Sequence, residues 1–192
     1  MDKNHKLLFH GAKSRIEGKL DIHKSRTNND LGQGFYTGER YEQAISFISG
    51  FEKSSVYIFD FKEEGLKGKK YNVNQEWMMT IAYYRGALEE YENHPIIKKL
   101  IEKSCDCYYI IAPIADNRMF QIINSFIMGE ITDEQCKHCL AATNLGYQYV
   151  FKSDKAIKSH KMLERSYITE KENEYKNKMR KTDPKLGDDK DK

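Results

Sequence analysis

Three short blocks carry the residues best suited to chemistry. Leu7-Leu8-Phe9-His10-Gly11 ends an apolar run in a histidine–glycine pair. Gly32-Gln33-Gly34-Phe35-Tyr36-Thr37-Gly38 sets an aromatic beside a threonine behind two glycines. Tyr147-Gln148-Tyr149-Val150-Phe151 places a carboxamide among apolar neighbours, more than a hundred residues downstream. Each block has the composition of a strand. The imidazole and the carboxamide are hydrogen-bonding groups, and the carboxamide takes no proton near neutrality. The expected arrangement is convergence of His10, Tyr36 and Gln148 from three strands onto one pocket. Taken singly, each also fits a structural role. His10 suits a polar strand end bonded to backbone, Tyr36 a core aromatic, and Gln148 the outer face of an alternating strand.

Other chemistries have weaker signatures. Cys105-Asp106-Cys107 and Cys136-Lys137-His138-Cys139 have the pairing that structural zinc sites use. Their cysteines fit equally well as small buried hydrophobes, one helical turn apart in the second pair; no metal site is expected. His23, His94 and His160 have no partner at ligand spacing. The chain has no Walker loop, no GxSxG and no HExxH. Gly32-Gln33-Gly34 is too short for a dinucleotide fingerprint, and no βαβ unit surrounds it.

The elements that must position these residues are mixed. The periodicity predicts strands over 6–10, 34–37, 54–61, 107–112 and 147–151. It predicts helices over 39–50, 74–91 and 119–128, a short one reaching Ile101, one over 132–140, and a last one holding Ala156, Ile157 and Leu163. Asn74 and Asp116 are expected N-caps, Ser153 or Asp154 another, and Thr132 with Gln135 a capping box. Residues 12–33 form a polar loop long enough to suspect function, with Lys13, Lys19, Lys24 and Arg26 along it. A glycine- and lysine-rich turn is expected near residue 68. Strands and helices alternate without a βαβ beat, so the fold class is α+β.

Composition bounds the rest. The 192 residues predict one domain over 1–164 and a charged tail, frayed helix or disorder, over 165–192. A hydrophobic fraction of 39% is low, so thirteen tyrosines and nine phenylalanines must supply much of the core. A net charge of +3 argues against a general polyanion binder. No apolar run has the length of a membrane span, and the N-terminal run is too short for a signal peptide. A cytoplasmic protein with reduced cysteines is expected.

In order, spacing and strand context, the three blocks resemble the ADP-ribosyltransferase superfamily, in the branch whose signature is histidine, tyrosine and then glutamate, aspartate or glutamine. Diphtheria-type toxins and the poly(ADP-ribose) polymerases belong to that branch. More closely, Asn29-Asp30-Leu31-Gly32-Gln33-Gly34-Phe35-Tyr36, Glu42-Gln43-Ala44 and Ile111-Ala112-Pro113-Ile114-Ala115-Asp116 are similar to an uncharacterised bacterial family of the superfamily. The resemblance covers about residues 6–163. It implies a split antiparallel sheet with flanking helices, and NAD as substrate. Tyr36 would stack on the nicotinamide, with Phe47 over the other ring face and Thr37 nearby. Gly11 would bond the carboxamide through its backbone, His10 would hold ribose hydroxyls, and Arg26 would meet the pyrophosphate. Cleavage would pass through an oxocarbenium-like ribosyl cation, helped by positioning and electrostatics.

Gln148 stands where the best-known members have glutamate. It keeps a hydrogen bond and loses a charge and a base. Another carboxylate must then act, with Asp116, Asp30 and Glu42 the candidates in that order, or the acceptor must already be nucleophilic. The resemblance implies a toxin of toxin–antitoxin or phage-defence type with a neutralising partner protein. Its acceptor would be RNA, slightly ahead of protein. The alternative is a non-catalytic module that binds NAD, ADP-ribose or a partner. Arg26 also fits a solvated loop, Phe47 a core aromatic, and Asp116 a helix cap.

Overall fold

The computed structural model describes residues 5–51, 53–142, 145–167 and 174. In chain order its strands are β1 (His5–Ala12), β2 (Phe35–Gly38), β3 (Ser55–Lys62), β4 (Gly68–Lys70), β5 (Tyr109–Pro113), β6 (Tyr147–Phe151) and β7 (His160–Tyr167). Its α-helices are α1 (Tyr41–Ile48), α2 (Gln75–Tyr84), α3 (Pro95–Cys105), α4 (Asn117–Ile127), α5 (Asp133–Ala141) and α6 (Asp154–Lys158). The fold class is α+β, with mostly antiparallel strands. The described residues fall into two compact units, one of 5–20, 37–64 and 158–167, the other of 21–36 and 65–157. Among them no helix is long and apolar enough to cross a membrane.

In the first unit, β1 and β3 form an antiparallel ladder from His5 opposite Lys62 to Ala12 opposite Ser55. β3 pairs antiparallel with β7, with a register shift between Ile58 and Phe59. The pleat sorts the side chains. Phe9 and Val56 face α1, where they meet Ala44, Ile45, Ile48 and Tyr41. Leu8, Tyr57, Phe59 and Phe61 are buried along the other set of positions, and the His160 ring stacks on Phe61 at 4.9 Å between centroids. The backbone N–H of Ile16 donates to the Tyr57 hydroxyl at 2.8 Å, which ties the loop after β1 to the sheet.

In the second unit, β5 and β6 are antiparallel, with Ala112 opposite Gln148 and Ile110 opposite Val150. β4 pairs parallel with β5, a geometry that needs a long crossover, here supplied by α2 and α3. Ile110, Ala112 and Val150 join Trp77, Met78 and Ile81 of α2, Met119 and Ile123 of α4, and Cys136 and Leu140 of α5 in one core. Leu31 enters this core from the loop before β2 and is fully buried.

The caps form where the sequence signals them. The Asn74 side chain accepts from Trp77 N at 2.9 Å, Asp116 from Met119 N at 2.8 Å, Ser153 from Ala156 N at 3.2 Å, and Thr132 exchanges bonds with Gln135. Four expectations need correction. The helix expected over 74–91 stops at Tyr84, because Gly86 adopts φ +86° and ends the spiral. The short helix reaches Cys105, beyond Ile101. The turn near residue 68 is strand β4. The last helix ends at Lys158, so Leu163 lies in β7, and that strand carries the pairing to Tyr167, past the expected boundary at 164. Of the tail, residues 168–173 and 175–192 lie outside the described residues.

Gly11 shows why one position tolerates no side chain. A Cβ there would overlap the backbone oxygen of Ala44 and approach Ile48 Cγ2 to 2.9 Å. The obstacle is a helix backbone, which no rotamer change relieves. Gly11→Ala is expected to lose about 1–3 kcal/mol of stability, the usual range for overpacking. Urea denaturation measures it, and an unchanged midpoint would show that α1 moves aside freely.

Candidate functional site

The site is built from a loop. Residues 26–36 read Arg-Thr-Asn-Asn-Asp-Leu-Gly-Gln-Gly-Phe-Tyr, and their polar groups are used to fix one conformation. Asn29 Nδ2 donates to the Arg26 carbonyl at 2.9 Å, and Gly32 N donates to the Asn29 carbonyl at 2.9 Å. Gly32 has φ +75°, and a Cβ on it would strike the Tyr84 ring, so glycine is required there. Gln33 Nε2 donates to the His23 and Ser25 carbonyls at 2.9 and 3.0 Å. Buried Leu31 anchors the turn.

Two side chains close the loop, one from its own end in β2 and one from elsewhere. The Tyr36 hydroxyl donates to the Gly32 carbonyl at 2.6 Å and accepts from Leu31 N at 3.2 Å. Burial raises the Tyr36 pKa well above the ordinary tyrosine value, and the neighbouring Asp30 charge raises it further. The phenol therefore stays a donor. Lys152, just beyond β6, donates to the Leu31 and Gln33 carbonyls at 2.6 and 2.8 Å. Its burial lowers its pKa, because the ammonium has lost water that two carbonyls only partly replace.

The loop so held presents Asp30 to Arg85 and Gln148. Arg85 Nε donates to Asp30 Oδ1 at 2.7 Å, and Nη2 bonds the same oxygen. Arg85 Nη1 reaches Asn117 Oδ1 at 3.2 Å and Nη2 the Ala115 carbonyl at 3.0 Å. The guanidinium lies over the Phe120 ring, 4.7 Å from its centroid. The side chains of Arg85 and Asp30 are 18% and 13% exposed. Gln148, 8% exposed, donates from Nε2 to Asp30 Oδ2 at 3.4 Å and to the Pro113 carbonyl at 3.3 Å. The strand alternation puts Gln148 on the same face as Val150, toward the helical core.

The residues read from the sequence divide between the units. Arg26, Tyr36, Asp116 and Gln148 belong to the second; His10, Gly11, Thr37 and Phe47 belong to the first. Within the second, Tyr36 and Gln148 are brought together through Asp30. Asp116 is engaged at the start of α4, capping Met119 and pairing with Arg118 at 3.1 Å. The carboxylate that reaches Gln148 is thus Asp30, second in the expected order. Arg26 is exposed. In the first unit, His10 is partly buried with its ring 6.5 Å from that of Tyr57, and Thr37 is buried. Phe47 is 56% exposed. Lys13 Nζ lies 5.7 Å from its ring centroid and 4.6 Å from that of Phe51. Glu42 lies exposed in the first turn of α1.

Sequence reasoning missed Arg85 and Lys152. Arg85 follows the apolar stripe of α2 and precedes Gly86, where an arginine reads as a solvated helix end. Lys152 follows β6 and reads as a strand terminator. The arrangement as a whole can present a fixed carboxamide, a carboxylate oxygen and a partly buried aromatic ring to a polar ligand. Its charges are balanced by the Asp30–Arg85 pair.

Replacing Tyr36 by phenylalanine deletes a donor to Gly32 and an acceptor for Leu31. The expected cost is about 1–3 kcal/mol, since the loop groups lose their partner while staying partly buried. The pH dependence has a defined sign. With the folded pKa raised, the tyrosine contribution is complete below the unfolded value near about 10 and is lost as pH rises through the folded one. Chemical denaturation above about pH 10 should therefore show a shallower loss in Tyr36→Phe than in the native chain. Parallel curves would show that the hydroxyl is not so constrained.

A comparison with curated proteins finds no match, and neither does a comparison with solved structures. A family model described as "Protein of unknown function (DUF3990)" matches residues 7–162. That range reaches into both units and takes in every residue of the site described above, and the chain belongs to this family of proteins of unknown function.

Proposed function

We propose that this chain is an NAD-dependent mono-ADP-ribosyltransferase of intracellular toxin type. The observation that carries the reading is the clustering of Tyr36 and Gln148 about Asp30, two of the three residues that the superfamily resemblance selects. In this reading the Tyr36 ring packs on the nicotinamide, and Gln148 accepts a hydrogen bond from a hydroxyl of the adjoining ribose. The resemblance assigns ribose hydroxyls to His10, the carboxamide to the Gly11 backbone and the pyrophosphate to Arg26, with Phe47 and Thr37 also among the cofactor-binding residues. The fold in this reading is that of the ADP-ribosyltransferases, a split antiparallel sheet with flanking helices.

The reaction breaks the bond between the ribose anomeric carbon and the nicotinamide nitrogen, and the electron pair leaves with nicotinamide. An acceptor lone pair then forms the new bond to that carbon, and the acceptor gives up a proton. Gln148 cannot take it, and both oxygens of Asp30 are already engaged, Oδ1 by Arg85 and Oδ2 by Gln148. The acceptor is accordingly one that is nucleophilic without help. That favours a nucleic-acid base or activated hydroxyl, RNA first, over a protein side chain. Exposed Lys24 and Arg26 would attract the phosphates. A cytoplasmic setting and a neutralising partner protein follow from a toxin of this kind.

A second reading is a binding module that holds NAD or ADP-ribose without chemistry. It is favoured by the same pairing, because the carboxylate beside Gln148 is neutralised. Two measurements separate the readings. NAD is expected to raise the melting temperature of the native chain; saturation at about a hundred times Kd adds about 2.7 kcal/mol. With labelled NAD and a cell lysate, the native chain should also release nicotinamide. Tyr36→Ala and Gln148→Ala should each slow the release about a hundredfold. Stabilisation without release selects the binding module; neither effect removes NAD from the account. Transferred label that resists nuclease and yields to protease would replace RNA by protein as acceptor.

A further inference from the structure

We propose that Asp30, held by Arg85, is a positioning residue that locks the Gln148 carboxamide with its nitrogen inward, so that this site requires glutamine and is spoiled by glutamate. This rests on the reading of Gln148 as a ligand-contacting residue and names what it reads, a hydroxyl that donates. The amide nitrogen has two neighbours, the Asp30 carboxylate at 3.4 Å and the Pro113 carbonyl at 3.3 Å. Both are acceptors. A flipped amide would set oxygen against oxygen twice, so chemistry fixes the orientation. Both Nε2 hydrogens are thereby directed at protein oxygens, and Oε1 is the atom left for a ligand. It accepts only. The ligand group must therefore donate, as a ribose hydroxyl does and as a carbonyl or phosphate oxygen does not.

Arg85 makes this possible. Its Nε and Nη2 both hold Oδ1 of Asp30, which turns Oδ2 toward Gln148. A glutamate at this position would face the same two acceptors with two oxygens of its own. The charged and titratable groups of the cluster are Asp30 and Arg85, with Tyr36 beside Asp30; Asp116 and Arg118 pair with each other. Burial and the two facing acceptor oxygens would push the pKa of a carboxyl introduced here upward, with the Arg85 guanidinium, on the far oxygen of Asp30, working against them. Glutamate in this chain would thus be no gain, although it supplies the negative charge that glutamine lacks.

The test is a reciprocal exchange. Gln148→Glu, Asp30→Asn and the double variant Asp30→Asn/Gln148→Glu are compared with the native chain in thermal melts between about pH 5 and pH 8, the span over which a raised carboxyl titrates. A carboxyl whose folded pKa is raised stabilises below its unfolded value and ceases to as pH rises. Gln148→Glu should therefore melt below the native chain at the alkaline end, with the gap closing toward the acid end. In the double variant the amide and the carboxylate exchange places. The new amide on the loop donates to the new carboxylate on β6, and Arg85 regains an anionic neighbour. This variant should melt above Gln148→Glu at the alkaline end, although it carries one more substitution. The NAD-induced shift should follow, weakened about tenfold or more in Gln148→Glu, whose carboxylate is pushed by the two facing acceptors out of the position from which Oε1 accepts, and restored in the double variant. A Gln148→Glu chain as stable as the native one at every pH, or a double variant no better than it, overturns the proposal. If NAD shifts none of the four chains, the NAD reading fails alone, and the pH comparison still decides how the amide is held.

Discussion

The second unit depends on one ion pair, Asp30 with Arg85. Withdrawing a carboxylate and a guanidinium from water costs several kcal/mol per ion. The pair is tolerated because its remaining valences are met. The guanidinium bonds Asp30, Asn117 and the Ala115 carbonyl, and its face rests on Phe120. The second oxygen of Asp30 receives Gln148. Four segments are joined by these contacts: the loop before β2, the end of α2, the start of α4 and strand β6. An uncompensated guanidinium would remain if the carboxylate were lost, so the loop conformation and the charge balance stand together.

That loop is closed from its other side by neutral and cationic donors. Tyr36 and Lys152 satisfy carbonyls that a tight glycine turn exposes. Lys152 is the more telling, because burial works against its charge and is opposed chiefly by the two carbonyls at 2.6 and 2.8 Å, with the Tyr84 ring 5.3 Å from the ammonium. A glycine-rich segment is entropically expensive to hold still. Here side chains from β2 and from beyond β6 do so, and what they hold in place is Asp30. The order of dependence runs from loop to carboxylate to carboxamide.

Much of this frame was legible in the sequence, and the reason is locality. Asn74, Asp116, Ser153 and the Thr132–Gln135 box act within one helical turn, so spacing alone reveals them. Strand β6 was legible to the residue, since its alternation of aromatics around Gln148 and Val150 is a period-two signal. The missed pieces are long-range. Strand β7 reads His-Lys-Met-Leu-Glu-Arg-Ser-Tyr, a charged stretch whose pairing with β3 has no local mark, and Leu163 looked like one more residue of the preceding helix. Strand β4 is a short run of glycine and lysine, organised by the distant strand β5. Arg85 and Asp30 lie fifty-five residues apart; each reads as solvated until the fold joins them. Asp116 shows the reverse. Its cap signal was correct, and the cap takes one oxygen while Arg118 takes the other, so both oxygens a base would need are engaged.

The neutral balance of the Asp30–Arg85 pair bears on what chemistry the site can support. A glutamate in the position of Gln148 would place a full charge beside a developing ribosyl cation, worth far more in a dry site than in water. This chain has instead a dipole, the amide oxygen, backed by a carboxylate whose charge is already spent on a guanidinium. In the proposed reaction such a site would orient the nicotinamide riboside strongly and stabilise the cation weakly. Its rate would then rest on positioning and on the intrinsic reactivity of the acceptor, which is the property that distinguishes a nucleophilic base nitrogen from a protonated side chain.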